Sequence, residues 1–335
     1  MGELEPITPE EAVNLYMHHR KPELSKKSMQ NHRYRLNSFV EWCQDVGLEN
    51  LNGLTGRDVH RFRTWRIEQD IEPITLRSQL ATLRVFLEFC ATIDAVEDGM
   101  RERVMLPEVD SENESKDEKL EESHAGELLE YLNRFEYASR KHVVIGVLWH
   151  TGIRLGSLRA FDLGDFNPEE RYLELRHRPE TQTPLKNGAA AERYIAVGER
   201  YCKIIQDYID VHRYDVTDDY GRRPLITSCH GRLSATSIRK LVYKATRPCL
   251  HGACPHDRDP ANCEAMSHDK ASTCPSSRSP HGIRRGSITK HLRDGTPEEI
   301  VSDRMNVSSD VLDKHYDRRT EHEKMELRRQ FIKDL

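Results

Sequence analysis

Apolar residues in roughly the first hundred positions recur every three to four residues, the spacing that gathers them on one face of a helix. Leu36, Phe39, Val40 and Cys43 form one such stripe, Val59, Phe62 and Trp65 a second, and Leu76, Leu80, Leu83, Leu87 and Cys90 a third. The helix starts are marked as well. Thr8-Pro9-Glu10-Glu11 offers a threonine N-cap, a proline in the first turn and a glutamate that reaches back as a capping box, and Thr55 to Asp58 opens the helix carrying Val59. No strand signal interrupts residues 1–106, so this part is predicted to be a small all-helical bundle.

The pattern changes at Asp110. DSENESKDEKLEE is highly charged and has no hydrophobic period, as expected of a solvated linker. Beyond it HAGELLEYLNRF and the apolar HVVIGVLWHTGIR read as helices, the second buried. Tyr172 to His177 and Arg193 to Val197 carry strand-like residues on either side of Asn187-Gly188, which predicts a β-hairpin or short sheet. Helices return from Ser234, interrupted by a Cys/His-rich stretch. The chain is thus expected to be mainly α, with a helical bundle at 1–109, a linker at 110–122, and an α+β domain with a small antiparallel sheet at 123–335. That second domain contains an insertion at 249–274.

A length of 335 residues suits two cores. With 36% hydrophobic and 32% charged residues, the composition is not that of a membrane protein. No apolar run approaches the roughly 18 residues of a spanning helix, and the acidic, polar start does not resemble a signal peptide. A cytoplasmic location is expected. The net charge of −5 argues by itself against a nucleic-acid partner, although proteins of a salt-rich cytoplasm also carry acidic surfaces. Distribution alters that picture. Acids gather between Asp110 and Glu122, while Arg33, Arg35, Arg57, Arg61, Arg66, Arg77 and Arg84 recur through the first domain and leave room for a basic face.

The chemistry lies in two boxes and one late residue. TGIRLGSLRAFDLGDF, from Thr151, ends a buried helix and delivers Arg154 at a turn. HGIRRGSITKHLRDG places His281 and Arg284 on one helix face, and Tyr316, the only tyrosine after Arg284, follows about thirty residues later. Two guanidiniums hold phosphate oxygens in planar forks and stay ionised at any physiological pH, which suits the extra charge of a pentavalent phosphorus. A histidine exchanges a proton near neutrality, and a tyrosine becomes a competent nucleophile when cations and a base surround it.

The ordered boxes TGIR and HGIRR and the late Tyr316 resemble those of the tyrosine recombinases, the family of phage integrases and Xer-type site-specific recombinases. The resemblance covers nearly the whole chain. It implies a SAM-like core-binding domain ahead of a catalytic domain with the DNA breaking-rejoining fold. It also implies Arg154 and Arg284 as phosphate clamps, His281 as the His-x-x-Arg histidine and Tyr316 as the nucleophile. A lysine between the boxes protonates the leaving 5′ oxygen in the family; Lys186, the only lysine between Arg154 and Lys203, takes that role. The sequence departs from the family in two places. Arg285 stands where a histidine is usual, and DRMNVSSDVLDKHY replaces the Leu-Gly-His box, leaving Asn306 to donate an amide hydrogen bond without exchanging a proton.

The implied partner is double-stranded DNA, bound at the nucleoid by a homotetramer and clamped between the two domains, with no small-molecule substrate and no cofactor for catalysis. The tail, with Met325, Leu327, Phe331 and Ile332 on one stripe, packs on a neighbouring protomer or on its own domain. Cys249, Cys254, Cys263 and Cys274, four of the eight cysteines, form a cluster that in a cytosolic protein points to structural zinc, although no Cys-x-x-Cys pair is present; the alternative is unligated thiols in a polar loop. Two rival readings remain at this level. One is a DNA-binding regulator of the same fold that has lost catalysis, and the other is a type IB topoisomerase. A zinc-stabilised RNA-binding module leaves the ordered boxes unexplained.

Overall fold

A computed structural model describes residues 4–109 and 118–315, with positions 322, 325, 326 and 329. Tyr316 and the other three residues of the tail stripe besides Met325 lie outside the described residues, as does the linker from 110 to 117. The chain divides into two compact units, residues 1–116 and 117–335. Among the described residues no helix is long and apolar enough to cross a membrane.

The first unit is a bundle of α1 (Pro9–Arg20), α2 (Lys26–Asp45), α3 (Gly56–Glu68) and α4 (Pro73–Thr92). Both capping boxes form: Thr8 Oγ1 accepts from the Glu11 amide and Thr55 Oγ1 from that of Asp58, while each N3 carboxylate reaches back to its N-cap amide. The three sequence stripes meet inside, with Phe39 and Phe62 edge-to-face at 5.4 Å. Val40 and Trp65 sit at the margin, half-buried. One of the seven arginines that left room for a basic face is buried here. Arg66 is only 8% exposed; its Nε donates to Gln79 Oε1 at 2.9 Å, a second nitrogen bonds Gln69, and the guanidinium lies over the Trp65 ring. A charge held by two amides and an aromatic face is part of the bundle and not of its surface.

The second unit is built around α6 (Arg140–Thr151), preceded by α5 (Glu122–Phe135). Val143 to Trp149 are buried without interruption, so the neighbours enclose this helix on every side. Then follow α7 (Leu155–Ala160), β1 (Phe166–Asn167), β2 (Tyr172–Leu175), β3 (Arg193–Ala196), α8 (Glu199–Asp207), β4 (Thr227–Ser228), β5 (Gly231–Arg232), α9 (Ala235–Ala245), α10 (Pro280–Arg293), α11 (Glu298–Met305) and α12 (Ser309–His315). Strands β1, β2 and β3 form an antiparallel sheet in that order, with Leu173 opposite Ile195 on its buried face; β4 and β5 make a separate two-stranded pair.

The end of the acidic stretch is not solvated. Leu120 is buried and its amide donates to Gly282 O at 3.0 Å, so this part of the linker belongs to the second unit. The approach is close enough to require glycine: a Cβ on Gly286 would stand 2.1 Å from Leu120 O and 2.8 Å from the Trp149 ring. Gly286→Ala is therefore expected to cost about 1–3 kcal/mol through overpacking and to lower the melting temperature of this unit by roughly 2–10 °C, measured by calorimetry.

His142 makes the stability of the second unit depend on pH. It is 1% exposed, and its Nδ1 accepts the Ala138 amide at 3.2 Å, which requires the neutral ring. Burial, reinforced by the positive charge of Arg200, pushes it down to about 4. An unfolded histidine titrates near 6.5, so between about 4 and 6.5 the unfolded chain takes up a proton that the folded chain refuses. Stability from this group is complete above that window and lost as pH falls through it. By pH 5 the loss is about 2 kcal/mol. Urea unfolding at pH 7 and pH 5 checks this, and His142→Gln should flatten the difference.

Candidate active site

Helix α6 ends at Thr151 because Gly152 takes the left-handed conformation, with φ +60°. Two residues later Arg154 is the extended N-cap of α7, which fixes the direction in which its side chain leaves the backbone. The pattern TGIR therefore encodes a helix stop, a turn and an arginine delivered at the rim of the core.

Arg284 comes from the middle of α10 and is 3% exposed. Its Nη1 donates to Gly152 O at 2.6 Å and to Met305 O at 2.8 Å, and Nη2 reaches Asn306 O at 3.5 Å. One guanidinium thus ties the start of the first box to the end of α11, the segment that stands in for the usual third box. Asn306 closes α11 in the left-handed region, with φ +50°, a conformation that asparagine tolerates better than most residues. Its Oδ1 accepts from Asn187 Nδ2 at 2.9 Å.

That hydrogen bond brings the β2–β3 connection to the same place. The connection is not a tight hairpin. It runs from 176 to 192 and contains single turns at Pro179–Thr181 and Gly188–Ala191. Ion pairs divert it as it leaves β2: Arg178 holds Asp165 at 2.6 Å and Asp162 at 3.3 Å, and Arg222 bonds Thr183. Asn187 has φ −105° and Gly188 φ +64°, so the two positive φ values of a type I′ hairpin turn are not met. The Gly188 amide instead bonds Leu185 O at 3.1 Å, which puts Lys186 and Asn187 in the middle of a turn with Lys186 exposed.

These elements enclose a cavity of about 450 Å3 whose polar lining includes Arg154, Asn187, Arg193, Asp303, Asn306 and Ser308. The structure brings together Arg154, Arg284, Asn306 and the turn bearing Lys186. His281 lies one turn before Arg284 on α10 and is exposed; it shares that helix face but does not line the cavity. Tyr316 lies outside the described residues, one position beyond α12.

Arg193 is a functional candidate that sequence reasoning did not name. Its Nε and Nη1 donate to Arg304 O at 2.9 Å and Ala191 O at 2.8 Å, so the side chain is fixed at the cavity wall. Burial, and then the like charge of Arg154 beside it, push Arg193 down to about 10. A signal was present: Arg193 shares a strand face with buried Ile195, where a charge needs a reason. Behind it Arg304 donates to His150 O and Ala196 O, so cations concentrate around this cavity. On the lining itself Arg154 and Arg193 face the carboxylates Glu192 and Asp303, so the guanidiniums offer forks for phosphate oxygens beside two acidic groups.

The cysteine cluster does not form a ligand set. Among the described residues no three histidine, cysteine or carboxylate side chains stand where one ion can touch them, and Cys249, Cys254, Cys263 and Cys274 are all partly exposed free thiols. Hydrogen bonds organise the loop instead. Buried Arg247 bonds Ala265 O, and Thr246 Oγ1 joins both the amide and the carbonyl of Arg278. Burial pushes the Cys249 thiol up, against Arg247, with Cys274 and Cys254 near enough to add to the rise.

Residues 15–92 match the family described as phage integrase, N-terminal SAM-like domain. Over 31% of this chain the sequence is 34% identical to the N-terminal domain of a phage integrase/site-specific recombinase from Haloarcula marismortui, of which 99% is covered, with a TM-score of 0.30. The Tn1549 transposon integrase, solved in complex with a circular intermediate DNA, is similar over 97% of this chain and 99% of that one, at 12% identity and a TM-score of 0.71. A lambda integrase dimer bound to a core site is similar over 95% of this chain and 80% of that one, at 11% identity and a TM-score of 0.66. At these identities the last two likenesses concern the fold. No curated protein matches the sequence. The first unit thus carries the phage integrase N-terminal SAM-like domain, and the chain as a whole has the fold of the Tn1549 and lambda integrases.

Proposed function

We propose that this protein is a site-specific DNA recombinase that cuts and rejoins strands through Tyr316. The observation that carries this reading is Arg284, a buried guanidinium bonded to both Gly152 O and Met305 O, which joins the Arg154 turn and the Asn306 turn beside one cavity whose lining includes Arg154 and Arg193. A scissile phosphate seated there meets Arg154 and Arg284, whose charges offset the extra negative charge of the pentavalent state. The Tyr316 phenol, losing its proton to His281 or water, attacks phosphorus in line. The bond from phosphorus to the 5′ oxygen breaks, and Lys186 gives that oxygen a proton.

The product is a 3′-phosphotyrosyl ester and a free 5′ hydroxyl. The ester keeps the energy of the broken bond, so a 5′ hydroxyl from a second strand reverses the step without ATP. Asn306 donates hydrogen bonds to the phosphate where the family places a proton-exchanging histidine. Strand exchange needs two duplexes and hence four protomers on DNA; the Tn1549 integrase is solved with a circular intermediate DNA and the lambda integrase as a dimer on a core site. Incubation with a duplex nicked next to the cleavage site tests the reading, because loss of the short fragment traps the ester. The wild-type chain should give a protein–DNA adduct that survives denaturation, and Tyr316→Phe none. A wild-type chain that binds its site tightly and never forms the adduct would identify a non-catalytic member of the fold.

A further inference from the structure

A second cavity, of about 610 Å3, lies in the catalytic unit away from the site just described. Its cationic and imidazole lining is Arg140, Lys141, His212, Lys240, Lys244 and His268, against a single lining carboxylate, Glu136. Arg140 opens α6, whereas Gly152 and Arg154 follow the other end of that 12-residue helix, so the two cavities are separated by roughly the 18 Å length of α6.

Two of these charges are already matched. Lys141 pairs with Glu136 at 2.7 Å, and Lys240 pairs with Asp269. Lys244 and Arg140 have no carboxylate partner among the described residues. The Arg140 guanidinium is nonetheless held in place: one Nη donates to Thr227 O at 2.8 Å, while its buried Nε has no hydrogen-bond partner. A buried donor without an acceptor costs free energy unless something fills the gap. The α6 N-terminus contributes its dipole: Ser139 caps the His142 amide, but the first turn carries no acidic residue to offset the positive end. The Cys/His-rich insertion supplies His268 to the wall and Asp269 to the ion pair.

We propose that this cavity is a second anion site that binds a phosphate-bearing ligand through Arg140 and Lys244, beside the N-terminus of α6 and independently of the candidate active site. Two sources offer that chemistry, the backbone of a DNA duplex and a free polyphosphate.

The test uses the full chain and inorganic tripolyphosphate. At about 100 times its dissociation constant the ligand should raise the melting temperature of the second unit by about 5–8 °C. The rise should persist in Arg154→Gln, which alters only the candidate active site, and should vanish in Lys244→Glu. Lys244→Met, a milder change, should also lose it and covers the case in which the glutamate variant fails to fold. A rise unchanged in Lys244→Met, or one abolished by Arg154→Gln, would overturn the proposal. Binding of a 30-base-pair duplex then separates the sources. If Lys244→Met lowers the salt slope of duplex affinity by about one, the site reads DNA backbone; an unchanged slope together with the lost thermal shift assigns it to a free polyphosphate. The outcome does not depend on strand cleavage, so it stands or falls separately from the recombinase reading.

Discussion

Arg284→Ala is expected to reduce adduct formation on a nicked duplex by about 1,000-fold and to lower the melting temperature of the second unit by about 5 °C or more. The two effects share one cause. The guanidinium is 3% exposed and bonds Gly152 O at 2.6 Å and Met305 O at 2.8 Å, so its removal strands two carbonyls inside the unit and leaves a void. An unsatisfied buried acceptor costs about 1–3 kcal/mol. The turn that delivers Arg154 and the turn that presents Asn306 lose their common anchor, and the cavity loses its shape. Arg284→Lys tests the geometric part, because an ammonium is a point charge and does not reproduce the planar fork that spans these acceptors. Lysine should recover part of the stability and little of the cleavage. Single-turnover trapping and calorimetry on the same preparations separate the terms.

Arg154→Gln is expected to reduce adduct formation by about 100- to 1,000-fold while moving the melting temperature by less than about 2 °C. Arg154 is half-buried at the N-cap of a short helix, where the backbone holds the turn without a side-chain cap. Its charge lies near that of Arg193 on the cavity wall. The contrast with Arg284 identifies the division of labour: one arginine both builds and charges the cavity, and the other mainly charges it. A fall in stability as large as that of Arg284→Ala, or an unchanged cleavage rate, would contradict this division.

Local signals in the sequence carried over to the structure, and nonlocal ones did not. Thr8 with Glu11 and Thr55 with Asp58 start helices through contacts within three residues, which a pattern can reveal. Gly152, the glycine that ends α6 within the first box, was legible for the same reason. The course of residues 176–192 was not. It depends on Arg178 meeting Asp162 and Asp165 and on Arg222 reaching Thr183, pairings made only once the sheet and its flanking loops have folded. Arg66 read as a surface cation because helical spacing alone does not show that Gln69, Gln79 and Trp65 enclose it. The main partners of Arg284 are backbone carbonyls from two distant segments, and no residue type signals an acceptor of that kind. Cysteine spacing pointed at the loop from Cys249 to Cys274 but not at the hydrogen bonds of Arg247 and Thr246 that run through it.

The central claim is that the Tyr316 phenol becomes joined to a phosphate held by Arg154 and Arg284. Proteolysis of the denatured adduct, followed by mass spectrometry of the peptide that retains nucleotide, tests it most directly. The account predicts a single modified peptide spanning Tyr316, with the nucleotide attached through its 3′ phosphate. Nucleotide on any other residue, or a link through a 5′ phosphate, would contradict it.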